Sequence, residues 1–217
     1  DQQIQRIMMY TGIGVIAIAL VFVVLSMSQG TQPEQFDLSG QPSLGEPNAP
    51  VKVVEFGDWK CPACKRFHDI AFEQLKSDYI DTGQVEFYFV NFPIPNVTGP
   101  DSTNAALASE CIYAQSEQDF WEFYDVIYEN QGIESEIWAT PEFLAEQVER
   151  FVNPDIDREA FISCINEGEH QELVDADFAM GREAGVNGTP TIFVNGMLSR
   201  SSYGALSSDI ERALEEE

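Results

Sequence analysis

The tetrad Cys61-Pro62-Ala63-Cys64 restricts the architecture of this chain more than any other feature, because of what stands on either side of it. Before it, residues 51–56 read VKVVEF, a β-branched stretch with the character of a buried strand. After it, Phe67, Ile70, Ala71, Leu75 and Tyr79 recur at helical spacing, which puts the tetrad at a helix N-terminus. A thiolate is the nucleophile of disulfide exchange, and the free N–H groups and dipole of a helix N-terminus favour that anion. Two intervening residues bring the second sulfur within bonding reach one turn on. Pro62 suits the first turn, where it forfeits no N–H partner, and Lys60 adds a positive charge nearby. A zinc site needs two ligands beyond the tetrad. His68, four residues past Cys64, is one candidate, but the only other histidine is the distant His170 and no second close cysteine pair exists. Haem attachment needs a histidine directly after the second cysteine, where Lys65 stands. An inert structural bridge is the remaining alternative, and the placement between strand and helix favours exchange.

Periodicity organises the rest of the body. Residues 85–92, VEFYFVNF, read as a second strand. A helical block follows. Ala106, Leu107, Cys111 and Ala114 mark a helix over 103–114, and Phe120, Trp121, Tyr124, Ile127 and Tyr128 form another helical face; the aromatic run Phe120, Trp121, Phe123 and Tyr124 reads as core, with substrate contact as the alternative. Thr140-Pro141 opens a helix with a capping hydroxyl and a first-turn proline, and its apolar stripe is Phe143, Leu144, Val148 and Phe151. Asp157 starts another that carries Phe161, Cys164 and Ile165 and stops near Gly168; helical register continues over 173–184. After Gly185 the pattern returns to strand at 191–194, a tight turn at Asn195-Gly196, a return strand at Met197-Leu198, and a helix from about Tyr203. The implied fold class is α/β: a small domain in two pieces, 51–96 and 184–217, interrupted by an all-helical insertion at 97–183.

The N-terminus is of another kind. Residues 7–27, IMMYTGIGVIAIALVFVVLSM, hold no charged side chain and no polar face, and about 20 such residues span a bilayer core. We expect one transmembrane anchor at 7–28, a cytoplasmic stub at 1–6 with Arg6 on the inner side, and a Gly/Pro/Gln/Ser linker at 29–50. A cleavable signal peptide is the rival, but its apolar region is shorter, and Ser26-Met27-Ser28 is a poor cleavage site. The 37 acidic and 11 basic residues leave a net charge of −26, which argues against nucleic acid and against docking on anionic lipid. Four cysteines, an even number, suit an oxidising compartment. Cys111 and Cys164 are then expected to form a structural disulfide, with a second redox-active pair as the alternative.

Thr189-Pro190 stands just before the strand TIFV, an unusual place for proline unless it ends a loop or is cis. The strand–CxxC–helix opening and the late GTPTIFVNG resemble the thioredoxin superfamily, in which a cis-proline lies beside the active-site disulfide. VVEFGDWKCPACKRF, FVNFP and the helical insertion resemble the DsbA family; the anchor and SGQPSLGEPNAPV resemble its membrane-bound BdbD type from Gram-positive bacteria. The resemblance runs from about residue 38 to the end. It implies a thioredoxin fold with a helical insertion, Cys61 as the attacking thiol and Cys64 as the buried resolving thiol. Pro190 is implied to be cis, and Thr189 and Pro190, with Pro62 and Ala63, to border the substrate. Glu55, six residues before Cys61, matches a buried acid that relays a proton for Cys64. The family often pairs that acid with a lysine on the next strand, where Phe87 stands here, and Ala63 replaces the histidine of the best-studied members. The implied activity is an extracytoplasmic oxidase, held at the cell membrane by a single pass. Its implied partners are reduced, unfolded secreted proteins and a quinone-linked membrane protein of the DsbB or BdbC type. No cofactor beyond the Cys61–Cys64 disulfide is implied and no metal is assigned. Calcium occurs in related anchored proteins, but no contiguous loop here has calcium-ligand spacing. Two alternatives remain: a reductase or cytochrome c maturation factor of the same fold, and a metallochaperone using Cys61, Cys64 and His68.

Overall fold

The computed structural model describes residues 34–95 and 99–216. The expected stub at 1–6 and anchor at 7–28 lie outside the described residues. Among the described residues no helix is long and apolar enough to cross a membrane.

Among the described residues five strands, β1 (Ser43–Leu44), β2 (Val51–Gly57), β3 (Val85–Asn91), β4 (Thr191–Val194) and β5 (Met197–Ser199), form one sheet in the order β1-β3-β2-β4-β5. β2 (Val51–Gly57) and β3 (Val85–Asn91) run parallel and need a crossover, which the helix α1 over 62–80 supplies. Central strands covered on both faces read as near-continuous apolar runs, and VKVVEF and VEFYFVN do so. β4 (Thr191–Val194) pairs antiparallel with β2 and turns back into β5 (Met197–Ser199). The turn takes positive φ at Asn195 and Gly196, 45° and 77°. A side chain at Gly196 would run into the backbone of Glu34, whose N–H donates to the Gly196 carbonyl at 2.8 Å.

That contact begins a difference from the expected linker. Residues 34–50 lie on the body. Ser43–Leu44 form β1, antiparallel to β3 at its outer edge, and Trp121 Nε1 donates to the Ser43 carbonyl at 2.7 Å. Phe36 packs on Phe56 and Phe193, with ring centroids 5.4 and 5.0 Å away. The composition of this stretch suits a linker, but Phe36, Leu38 and Leu44 are spaced to cover one sheet face and one open edge.

Between β3 and β4 come α2 (Asp101–Tyr113), α3 (Glu117–Glu129), α4 (141–152), α5 (Arg158–Glu167) and α6 (Gln171–Glu183); α7 (Tyr203–Glu215) ends the chain. The expected caps form. Thr140 accepts from Phe143 N at 3.2 Å, Asp157 from Ala160 N at 3.0 Å, and Gly168 ends α5 in the left-handed region. Cys111 of α2 and Cys164 of α5 are bonded, their Cα atoms 6.3 Å apart. The aromatic face of α3 is core: Phe120, Phe123, Tyr124 and Tyr128 are fully buried and gather with Trp59, the residue two before Cys61. Two stripe residues do not follow the expected pattern. Ile70 and Phe151 are more than half exposed, at 56% and 53%. Each sits in a five-residue π-type stretch, His68–Phe72 and Val148–Val152, where the wider turn moves a residue off the face that 3.6 residues per turn would give it.

At the end of β3, Asn91 draws two buried acids together. Its Nδ2 donates to Glu110 at 2.8 Å and its backbone N–H to Asp177 at 3.1 Å. Burial, and then the Asp177 charge, pushes Glu110 up to about 7, and burial pushes Asp177 to about 6. The folded state therefore keeps protons that the unfolded chain has released. The stability these groups contribute is present below their unfolded values near 4 and is lost as pH rises through 6 to 7. In chelator-treated protein, Glu110→Gln should exceed the parent in unfolding free energy by on the order of 1–2 kcal/mol at pH 8. The gap should close toward pH 4. A gap equal at both pH values would show that the carboxylate pair is not what titrates.

Candidate active site

Cys61 is the N-cap of α1, and Pro62 takes the first helical position. Cys61 is half-buried, Pro62 exposed and Cys64 buried. Both thiols are free. The peptide bond before Pro190 is cis, as the resemblance implied, and it carries Thr189 against the first thiol: Cys61 Sγ donates to the Thr189 carbonyl at 3.3 Å. The Thr189 hydroxyl is buried at the same place and also acts on the thiol. The Cys61 thiol is held down to about 6, first by a hydrogen bond from Cys64, then by Thr189 and the N–H groups of Cys64 and Ala63, against the opposing effect of burial. Burial, the Cys61 hydrogen bond and the Glu55 charge move Cys64 the other way, well above the ordinary thiol range. Two thiols one turn apart are thus split into a ready anion and a reluctant one.

Lys60, next to Cys61, is also tied into the helical insertion. Its side chain is buried, pairs with Asp101 at 3.0 Å and donates to the Glu136 carbonyl at 2.9 Å. A buried ammonium needs a carboxylate, and Asp101 at the start of α2 provides it. The anion-favouring groups at Cys61 are its own helix terminus, Cys64 and Thr189.

Glu55 is fully buried on the face of β2 that meets α3. Tyr124 donates to its Oε2 at 2.7 Å, and Oε1 has no hydrogen-bond partner among the described residues. Burial pushes Glu55 up to about 8; the Tyr124 hydrogen bond and the His68 charge pull it back. The sheet register corrects the expected neighbour. Glu55 stands opposite Phe89 on β3 and Ile192 on β4, while Phe87 stands opposite Val53. Neither strand neighbour is a lysine, and the polar contact to Glu55 comes from the helical insertion instead. Asp58 and Gln131 are further residues that sequence reasoning missed. The Asp58 carbonyl accepts from Cys61 N at 3.0 Å, and Gln131 Nε2 donates to the carbonyls of Trp59 and Cys61 at 2.8 and 3.1 Å. Asp58, three residues before Cys61, was open to reading as a turn residue; Tyr124 and Gln131 come from far along the chain and gave no signal.

His68 separates from the cysteines. Its Nδ1 and Nε2 lie 3.0 Å from Asp69 and from Asp125, respectively. The described residues hold two groups of three metal-type ligands, His68–Glu73–Asp125 and Cys111–Cys164–His170. A Cys61–Cys64–His68 set, on which the metallochaperone reading depended, is not among them. Beside Cys61, Ala63 borders a cleft of about 270 Å³ walled by Arg66, Phe67, Ile70, Ser202 and Tyr203.

The family model described as Thioredoxin matches residues 37–212. The "Probable disulfide bond formation protein D" of Bacillus anthracis is 40% identical over 195 residues, which is 90% of this chain and 88% of the relative. "Disulfide bond formation protein D" of Bacillus subtilis is 34% identical over 189 residues, 83% and 80% of the two chains. Among solved structures, oxidised BdbD from Bacillus subtilis has a TM-score of 0.79 at 34% identity, covering 84% of this chain and 97% of that one. DsbA from Chlamydia trachomatis has a TM-score of 0.71 at 25% identity, covering 87% and 95%. Likeness of this extent in both sequence and fold means that the chain belongs to the thioredoxin family, among the disulfide bond formation proteins of the BdbD and DsbA kind, and is a thiol–disulfide oxidoreductase.

Proposed function

We propose that the enzyme runs as an oxidase, giving its Cys61–Cys64 disulfide to reduced, unfolded secreted proteins. A substrate thiolate attacks Cys61 Sγ, the Cys61–Cys64 bond breaks, and Cys64 leaves with its electron pair. Protonated Glu55 supplies the proton Cys64 needs. A second substrate thiolate then attacks the substrate sulfur of the mixed disulfide and releases Cys61 as a thiolate. Thr189 and Pro190 border the bound peptide, whose extended backbone pairs with Thr189, and Pro62 and Ala63 face it from the other side. The enzyme is reoxidised by a quinone-linked membrane protein of the DsbB or BdbC type. Residues 7–28 anchor it, with the redox domain outside the cell membrane. The active-site disulfide is its redox group.

One observation carries the direction of electron flow: the Cys61 thiol is held down to about 6 at the helix terminus. Only the reduced form contains that thiol, so whatever favours its anion favours the dithiol over the disulfide. A lowered pKa adds stability above its own value and loses it below. The reduced form should therefore gain on the oxidised one as pH rises from 6 toward 9. At pH 7 the gain is about 1 kcal/mol after allowance for solvent screening of a half-exposed group. Urea denaturation of both redox forms between pH 5 and 8 tests this. An oxidised form that is the more stable throughout would hand the function to the reductase alternative. Iodoacetamide should also alkylate Cys61 ahead of Cys64 in mildly acidic buffer, and equal labelling would remove Cys61 as the nucleophile.

A further inference from the structure

Glu55 lacks the strand lysine that the family pattern led us to look for, yet it is not electrostatically alone. The groups facing it are Cys61, Cys64 and His68 of α1, and Tyr124 and Tyr128 of α3. We propose that His68 and Tyr124 are positioning residues for the relay: His68 supplies the buried positive charge, and Tyr124 the hydrogen bond, that favour ionised Glu55 and let it take the proton of Cys64. This rests on the reading of Glu55 as the relay.

The geometry supports the assignment from both sides. Adjacent residues of α3 divide the work. Tyr124 donates to Glu55 Oε2 at 2.7 Å, and Asp125 meets His68 Nε2 at 3.0 Å. His68 Nδ1 meets Asp69 at 3.0 Å, so both ring nitrogens face carboxylates and the imidazolium is favoured over the neutral ring, against its burial. The His68 ring stands edge-on to Tyr124, with centroids 5.4 Å apart. Burial decides which charge Glu55 feels. His68 is 4% exposed, whereas the Asp69 and Asp125 side chains are 42% and 48% exposed. Glu73, grouped with His68 and Asp125, is likewise exposed, and Lys65 pairs with Asp69 at 3.2 Å. Water screens the outer acids, and the inner imidazolium keeps its field. Tyr128, buried and with no hydrogen-bond partner for its hydroxyl among the described residues, faces both Cys64 and Glu55 and carries no charge at neutral pH.

Stopped-flow oxidation of the reduced full chain by glutathione disulfide separates the two thiols. The first phase is Cys61 attack and the second is Cys64 resolving the mixed disulfide. In the parent, the second phase should inflect where Glu55 titrates, about 8. His68→Gln and Tyr124→Phe should each move that inflection up by about one pH unit and slow the second phase about tenfold at pH 7. The first phase should keep its rate, and His68→Lys should restore the inflection. Tyr124→Phe removes one oxygen only and keeps the test open if the imidazole-free variant unfolds. If Glu55→Gln leaves the inflection in place, Glu55 is not the relay and this inference falls with it. If Glu55→Gln abolishes the inflection while His68→Gln and Tyr124→Phe do not move it, the relay stands and the inference is overturned.

Discussion

Cys64→Ser should convert the enzyme from a catalyst into a trap. Given a disulfide-bonded substrate, the Cys61 thiolate attacks one of its sulfurs and expels the other as a thiolate, forming the mixed disulfide; the buried thiol that would resolve it is gone, so covalent complexes accumulate and turnover stops. Cys61→Ser should lose exchange altogether, since a hydroxyl forms no S–S bond and Cys64 is fully buried. Non-reducing electrophoresis followed by peptide mass spectrometry reads both results. The trapped link should map to Cys61. A link through Cys111 or Cys164, or a Cys64→Ser variant that turns over like the parent, would reassign the site.

The second large effect concerns stability rather than chemistry. Cys111→Ala/Cys164→Ala opens a bridge between residues 53 apart in sequence, joining the first long helix of the insertion to its fourth. In the chain-entropy model, closing a loop of that length lowers the free energy of folding by about 4 kcal/mol. The double variant should show a drop of that order in unfolding free energy by urea titration. The Cys61 alkylation midpoint should stay where it is, since neither sulfur of the bridge is among the groups that set it. A variant as stable as the parent would mean that helix packing alone holds the insertion together. A shifted alkylation midpoint would point to a second redox role for the bridge.

Local pattern carried a great deal of the fold. The tetrad between strand and helix, the Thr140 and Asp157 caps, the Asn195-Gly196 turn and the aromatic face of α3 are each set by neighbours within a few residues, and the structure has them where the sequence reading put them. What escaped depended on pairings across long separations. Glu55 and Phe89 face each other because two parallel strands settle in one register, and nothing near either residue specifies it. Phe87 is two places off, which keeps it on the correct face and opposite the wrong residue. The sequence shows Lys60 beside the thiol and hides its ion-pair partner Asp101. Residues 34–50 carry linker composition with just enough apolar side chains to dock, so composition misled where spacing would have warned. At the site, the thiols and Thr189-Pro190 were legible as motifs, and the polar partners of Glu55 were not.

The ring stack around Trp59 bears on how such a protein can be rebuilt. Trp59 lies two residues before Cys61 and packs against Phe120, Phe123, Tyr124 and Tyr128, all from α3. Tyr124 reaches Glu55, Lys60 reaches Asp101, and Gln131 reaches the Cys61 carbonyl. The insertion is therefore not a cargo that a minimal redox domain carries and might shed. Redesign has more room on its far side around α4 and α5, while α3 has to stay with the tetrad. A graft that moves CPAC into another scaffold without that helix transfers the two thiols and leaves behind the hydroxyl that donates to Glu55.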